Sequence, residues 1–186
     1  FRPLYLVSVL TAAAVSTDTK YNGLNPADVS AANTDNDTAG ITVNPTSGLT
    51  TTEAGGTATF TVVLNSEPAG EVTIGLATSD ASEGTVAPTS LTFTAANWNV
   101  AQTVTISGQN DAIADGDIAY TIITAAAVST DTKYNGLNPA DVSVTNTDND
   151  TAGITVNPTS GLTTTEAGGT ATFTVVLNSE PAGEVT

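Results

Sequence analysis

Thr57-Ala58-Thr59-Phe60-Thr61-Val62-Val63-Leu64 alternates small polar and apolar side chains. Ala58, Phe60, Val62 and Leu64 fall on one side of an extended chain, and the threonines fall on the other. That is the period-two signature of a strand with one dry face and one wet face. β-Branched Thr and Val favour the same conformation. Working outward, Asn65 to Gly70 carries turn residues, and Val72, Ile74 and Leu76 alternate again up to Ser79. Pro88 marks a further turn, and Leu91 and Phe93 flank Thr92. Val104 with Ile106, Tyr120 with Ile122, and Val142 with Val144 repeat the pattern downstream. Upstream, Ile41-Thr42-Val43 is a short strand closed by Asn44-Pro45 and Ser47-Gly48.

Seven or more short strands separated by turn signals within about 113 residues predict an all-β fold, an immunoglobulin-like β-sandwich. The sequence contains no Cys, so side-chain packing rather than a disulfide must join the sheets. Trp98 is expected to plug the core margin before the Thr103 strand. Thr130 to Pro139 is expected to be an exposed loop, with Tyr134-Asn135-Gly136 as its turn.

The segment Thr11 to Thr73 returns as Thr124 to Thr186, offset by 113 positions, and only Ala31-Ala32 changes, to Val144-Thr145. A period of that length is a whole domain. Residues 38–150 are therefore expected to form a complete β-sandwich repeat. Residues 1–37 read as the C-terminal part of a preceding repeat, and residues 151–186 as the N-terminal part of a following one. The opening Phe1-Arg2-Pro3-Leu4-Tyr5-Leu6-Val7-Ser8-Val9-Leu10 imitates a secretion signal. The competing reading is a strand start that has diverged, because Thr11-Ala12-Ala13-Ala14-Val15 recurs at Thr124 to Val128.

The formal net charge is -16, from 19 acidic residues against three basic ones. Phosphate and anionic lipid recognition both need clustered Lys and Arg, so nucleic acid and membrane surfaces are excluded as expected partners. No apolar run approaches the roughly 20 residues of a membrane helix, so direct insertion is not expected. With neither His nor Cys, the usual zinc and copper sites and the His-dependent nucleophile systems are ruled out within this sequence.

The acids cluster. Glu53 precedes Ala54-Gly55-Gly56, Asp80 ends the Val72 strand, and Asp111, Asp115 and Asp117 bracket Gly116. Asp148 and Asp150 close the repeat. In a sandwich of alternating strands these loops gather at one end. Two readings stand at this point: a solvated acidic surface, or a site for a hard cation. Neither the EF-hand spacing nor the Gly-rich nonapeptide repeat is present.

Several stretches resemble the Calx-beta domain. They are Glu53-Ala54-Gly55-Gly56 before the Thr57 strand, Phe93 through Trp98-Asn99, and Gln102-Thr103-Val104-Thr105-Ile106. Asn110-Asp111 followed by Asp115-Gly116-Asp117, and the terminal Asp148-Asn149-Asp150, complete the likeness. The resemblance implies an immunoglobulin-like sandwich with Ca2+ at the loop end near the domain junction. It also implies, by position, the ligand set Glu53, Asp80, Asp111, Asp115, Asp117, Asp148 and Asp150. Asp115 and Asp117 stand where the family often has the longer Glu. Arg2 and Leu4 align with Asp115 and Asp117 in the preceding repeat, so that repeat's site is expected to be broken.

Similar repeats occur in large bacterial surface and secreted proteins, including adhesins. The expected function is a calcium-binding structural repeat, a stiffened spacer at the cell surface or outside the cell. Its expected partners are calcium ions, neighbouring repeats of the same array, and a cell-surface or matrix ligand. The alternative is a calcium-independent adhesive or accessory module that binds glycan or protein through its loops. An enzyme is not expected, since nothing places an acid pair in a cleft.

Overall fold

The computed structural model describes residues 5–186, with side chains from Ser8 onward. Phe1 to Leu4, hence Arg2 and Leu4 and the head of the signal-like stretch, lie outside the described residues. The chain divides into two compact units, Phe1–Thr38 and Ala39–Thr186.

In the first unit, β1 (Tyr5–Val9) pairs antiparallel with β2 (Val29–Asn33), Tyr5 opposite Asn33 and Val9 opposite Val29. The second unit begins with β3 (Ile41–Asn44), β4 (Leu49–Thr52), β5 (Thr57–Leu64) and β6 (Val72–Thr78). β7 (Gly84–Ala87), β8 (Ser90–Phe93), β9 (Gln102–Gly108) and β10 (Ile118–Thr124) follow. β11 (Val128–Ser129), β12 (Val142–Thr147), β13 (Ile154–Asn157) and β14 (Thr174–Leu177) end the series, and no helix occurs among the described residues.

Residues 39–150 form an immunoglobulin-like β-sandwich. One sheet runs β3-β5-β9-β7 and the other β11-β6-β10-β12-β4, with β8 also on β6. β10 and then β11 occupy successive stretches of one edge of β6, and β8 takes the other. The β12–β4 pair is parallel, whereas the other strand pairs are antiparallel. The inner faces are the alternating residues read from the sequence. Phe60, Val62 and Leu64 of β5, Val104 and Ile106 of β9, and Val72 and Ile74 of β6 are buried. Leu91, Phe93, Tyr120, Ile122, Val142 and Val144 join them in one core, and Trp98 packs at its margin. Burying each large aliphatic or aromatic side chain contributes about 1.5–3 kcal/mol, which is what replaces a disulfide here.

β4, β7 and β11 were not expected as strands. β4 is mostly threonine and is held by its parallel partner β12, with Leu49 opposite Val144 and Thr52 opposite Thr147.

The loop from Thr130 to Pro139 is exposed or half-buried at most positions, as expected, but the expectation of a solvated loop fails at Tyr134 and Pro139. Tyr134 is only 1% exposed and belongs to the core. Its hydroxyl donates to the Ser66 carbonyl at 2.6 Å and accepts the Ser66 N–H at 3.1 Å. That pair of bonds pins the loop onto the β5–β6 turn, so the ring is covered rather than solvated. Gly136 takes φ +82°, as the expected Tyr134-Asn135-Gly136 turn requires.

Pairing registers also recur. Tyr5 opposite Asn33 repeats Ile118 opposite Asn146, and Ile154 opposite Leu177 repeats Ile41 opposite Leu64, each one period apart. Residues 5–9 therefore hold the strand position of β10 although their sequence differs. Strand direction puts the β4–β5, β6–β7 and β9–β10 connections, and the chain after β12, at one end of the sandwich.

Tyr134→Phe leaves the Ser66 N–H and C=O without their buried partner. It should lower unfolding free energy by about 1–3 kcal/mol in urea titration. A midpoint equal to that of the parent protein would show that the loop is not held this way.

Candidate metal centre

The β4–β5 turn is built tightly. Gly55 and Gly56 donate to the Thr52 carbonyl at 2.9 and 3.2 Å, and Gly55 takes φ +83°, which favours glycine. A Cβ on Gly56 would meet Thr52 Oγ1 at 2.5 Å. This turn leaves Glu53 pointing into the end of the sandwich, only 4% exposed. Glu53 N–H donates to the Thr147 carbonyl at 3.1 Å, and Asn149 N–H donates to Glu53 Oε2 at 3.0 Å. The β4–β5 turn and the chain after β12 are thereby tied together.

Asp148 and Asp150 follow β12 directly. Carboxylate oxygens of Glu53, Asp148 and Asp150 lie within 4.8 Å of one another. Asp148 accepts from Gly116 N–H at 2.7 Å and from Asp150 N–H at 2.6 Å. Asp117 Oδ1 accepts the Asp148 N–H at 3.2 Å, which places Asp117 beside the group as a support. Asp150 Oδ2 is buried and has no hydrogen-bond partner.

A second group joins Glu83, Asp111 and Asp115, again within 4.8 Å. Glu83 is 6% exposed. Its Oε2 accepts from Asn146 Nδ2 at 3.3 Å, and Asn146 also donates to the Gln109 carbonyl at 2.9 Å. Asn146 Oδ1 accepts from Thr51 Oγ1 at 3.0 Å, and Thr51 lies 3.0 Å from the Tyr120 hydroxyl. Gly108 is required at this junction, because a Cβ there would meet the Thr52 carbonyl at 2.3 Å and Asn146 Oδ1 at 2.6 Å.

Six of the seven carboxylates expected from the sequence therefore meet at this end, five of them within the two groups. Asp80 belongs to neither group. It is exposed, its Oδ1 accepts from Ser82 N–H at 3.0 Å, and its carbonyl accepts from Gly84 N–H at 3.2 Å, which shapes the β6–β7 turn. Glu83, at the end of that turn, was not singled out in the sequence. The available signal is the following Gly84, where a Cβ would lie 2.2 Å from the Tyr120 hydroxyl, so the chain must press against the core there.

The electrostatics follow from this crowding. The Asn149 N–H pulls the Glu53 carboxyl down, but burial and the charges of Asp148, Asp111 and Asp150 together leave it above its ordinary value. Burial raises Glu83, with Asp115, Asp80 and Asp111 adding to the rise and Asn146 opposing it. Asp148 is held down by the Asp150 and Gly116 N–H groups. Ser82, through its hydroxyl and its N–H, holds Asp80 down. Two buried carboxyls pushed up, one of them beside an Asp148 held down, form an array that a cation would relieve.

No protein-family model and no curated protein matches the sequence. Among solved structures, the apo-form Calx CBD1 domain is similar, with 16% identity over 60% of this chain and 96% of that chain at a TM-score of 0.44. SSP-19, an MSP-domain-like protein of Caenorhabditis elegans, is similar with 15% identity over 57% and 99% at 0.41. The E. coli chaperone DraB is similar with 10% identity over 78% and 89% at 0.41.

A pH prediction follows for the protein in EDTA. Glu53 and Glu83 have folded-state values above their ordinary value of 4.5, so the folded state binds protons more readily than the unfolded chain. Their contribution to stability grows as pH falls through those raised values and shrinks as pH rises. Asp148 is shifted the other way, so its contribution is lost only as pH falls below its ordinary 3.8. The melting temperature in EDTA should therefore rise between pH 7 and pH 5, and this rise should flatten in a Glu53→Gln, Glu83→Gln double variant. A falling melting temperature over that range in the parent protein would contradict the assignment.

Proposed function

We propose that this chain is a calcium-binding structural repeat that serves as a stiffened spacer in a large extracellular or cell-surface, adhesin-like protein. The observation that carries the reading is the group of Glu53, Asp148 and Asp150. A carboxylate 4% exposed sits within 4.8 Å of two others, and one of their oxygens, Asp150 Oδ2, is buried with no hydrogen-bond partner. A buried acceptor left unpaired costs about 1–3 kcal/mol, more when charged, and a cation removes that cost.

The donor chemistry selects the ion. All candidate ligands are carboxylate, amide or carbonyl oxygens, and the sequence offers neither thiolate nor imidazole. Oxygen-only, irregular sets of this kind suit Ca2+, which takes six to eight ligands, better than Mg2+, which demands an octahedron. Glu53, Asp148 and Asp150 would hold one ion and Glu83, Asp111 and Asp115 a second, with Asp117 supporting the first. Asp80 is left out of the direct ligand set.

The spacer part rests on repetition. A near-identical segment recurs at 113 residues, and the acidic end lies where one repeat passes into the next, at Asp148-Asn149-Asp150. An ion bound there would join β4, β12 and the outgoing chain. Neighbouring repeats are then the immediate partners, and any cell-surface or matrix ligand belongs to another part of the longer protein. We assign no catalytic role.

Thermal unfolding of the full chain in EDTA, calcium and magnesium tests this. At calcium about 100 times its dissociation constant the folded state gains about 2.7 kcal/mol, which in a protein of this size raises the melting temperature by about 5–10 °C. Magnesium at the same concentration should raise it less. Glu53→Gln removes a charge that burial and its acidic neighbours disfavour, yet retains an acceptor for Asn149 N–H. It should match or exceed the parent's stability in EDTA and lose most of the calcium shift. No shift in the parent at millimolar calcium, or a full shift in Glu53→Gln, would refute the proposal.

A further inference from the structure

The β9–β10 connection carries an apolar pair, Ile113-Ala114, between Asp111 and Asp115, and both residues are half-buried. What covers them is the segment after β14. Glu180 N–H donates to the Ala112 carbonyl at 2.6 Å, and Ile113 pairs with Glu180 as a parallel bridge. Asn178 to Gly183 is the same sequence as Asn65 to Gly70, one period later. The contact therefore joins the acidic end of the complete repeat to the β5–β6-type turn of the next.

The complete repeat shows why that turn is available. Its own turn spends the Asn65 N–H on the Gly40 carbonyl, the Ser66 N–H on Tyr134 and the Ala69 N–H on Asp131. The N–H of Glu67, the counterpart of Glu180, has no acceptor among the described residues, and Glu67 is exposed. The turn thus presents one backbone donor that its own repeat does not use. The cleft beside the contact, lined in part by Ile113, Ile154, Leu177 and Val185, needs no ligand to explain it. Leu177 and Val185 correspond to Leu64 and Val72, which are core in the complete repeat, so that surface belongs to the next repeat's own packing.

The tip is shaped by the acids on either side of it. Asp111 Oδ1 accepts the Ile113 N–H at 2.7 Å, and Asp115 N–H donates to the Ile113 carbonyl at 3.0 Å. Drawing the Asp111 and Asp115 carboxylates together with Glu83 would fix the backbone that presents Ala112 and Ile113.

We infer that the Ala112–Ala114 tip is the contact by which one repeat seats the next, and, resting on the calcium reading above, that filling the acidic end holds this contact closed. The partner is a second copy of this module, recognised through the Glu180 N–H and Ala182, whose counterparts Glu67 and Ala69 are exposed in the complete repeat, whereas the Pro181 counterpart, Pro68, is buried. A chain that would otherwise hinge at Thr151-Ala152 becomes directional.

The test uses the full chain, which has no native cysteine. Nitroxide labels at Asn99→Cys and Thr159→Cys, both exposed positions, report the spread of distances by pulsed electron resonance. In the parent, calcium should narrow the distribution relative to EDTA. Glu180→Pro removes the donor, and Ile113→Ser removes the apolar cover without touching a carboxylate. Both should keep the calcium-induced rise in melting temperature and lose the narrowing. Equal narrowing in both variants would overturn the docking while leaving calcium binding intact. If calcium raises no melting temperature in the parent, the calcium reading and the coupling fail together. The docking is then decided in EDTA, where a broader distribution in Ile113→Ser supports it and an unchanged one overturns it.

Discussion

Like charges gathered without a counter-charge set the terms for the acid-bearing end of this protein. Between residues 38 and 150 the single basic residue is Lys133, and it lies in the loop that packs at the opposite end. The fold compensates with backbone dipoles. Asn149, Gly116, Asp150, Asp148 and Ile113 each turn an N–H onto a carboxylate oxygen. At Glu53 and Asp148 these bonds favour the ionised form and oppose the cost of crowding. The arrangement runs short at Asp150 Oδ2, which is buried with no hydrogen-bond partner.

The loops hold their places because the end is anchored from within the sandwich. Thr51, Asn146 and Glu83 are buried polar residues in a layer otherwise apolar. Thr51 bonds Asn146, and Asn146 bonds both Glu83 and the Gln109 carbonyl. One amide therefore ties β4, β12, the β6–β7 turn and the start of the β9–β10 connection together. Such a chain gains most when every member is satisfied, because an unpaired polar group in low dielectric is costly. It also links the two carboxylate groups: Thr51 is two residues from Glu53, and Asn146 is two residues from Asp148. A short run of buried, hydrogen-bonded atoms thus lies between the two groups.

Much of this was legible from the sequence, for a physical reason. A strand buried on one face must alternate, so Phe60-Val62-Leu64, Val72-Ile74-Leu76 and Val104-Ile106 declared themselves. Alternating strands must also send their loops to two ends, which is why Glu53, Asp111, Asp115, Asp117, Asp148 and Asp150 were expected together and are found together. The remainder depends on partners distant in sequence. β4 is a run of threonines whose burial at Thr51 makes sense only once Asn146 and Tyr120 are beside it. Tyr134 looked like a loop residue because nothing local reveals the Ser66 backbone that receives its hydroxyl. Glu83 looked like any surface acid, and Asp80 like a ligand. The turn between them directs Glu83 inward to the acidic group and leaves Asp80 in water.

The use of aromatic residues bears on which function this surface can serve. The complete repeat has five aromatic side chains, Phe60, Phe93, Trp98, Tyr120 and Tyr134. Four are 5% exposed or less, and Trp98 packs against the core margin. Without a disulfide to hold two sheets together, the fold places its large side chains inside, where each contributes most. The outer faces are left with hydroxyls, amides, carboxylates and scattered aliphatic side chains such as Val100, Ile123 and Val128. Stacking on sugar rings, or a hot spot built around Trp and Tyr, has little material to work with there. Among the described residues the carboxylates concentrate at one end of the sandwich, where the 113-residue sequence period passes from one copy to the next. On the reading proposed above, a module composed this way acts on its neighbours more readily than on a distant ligand.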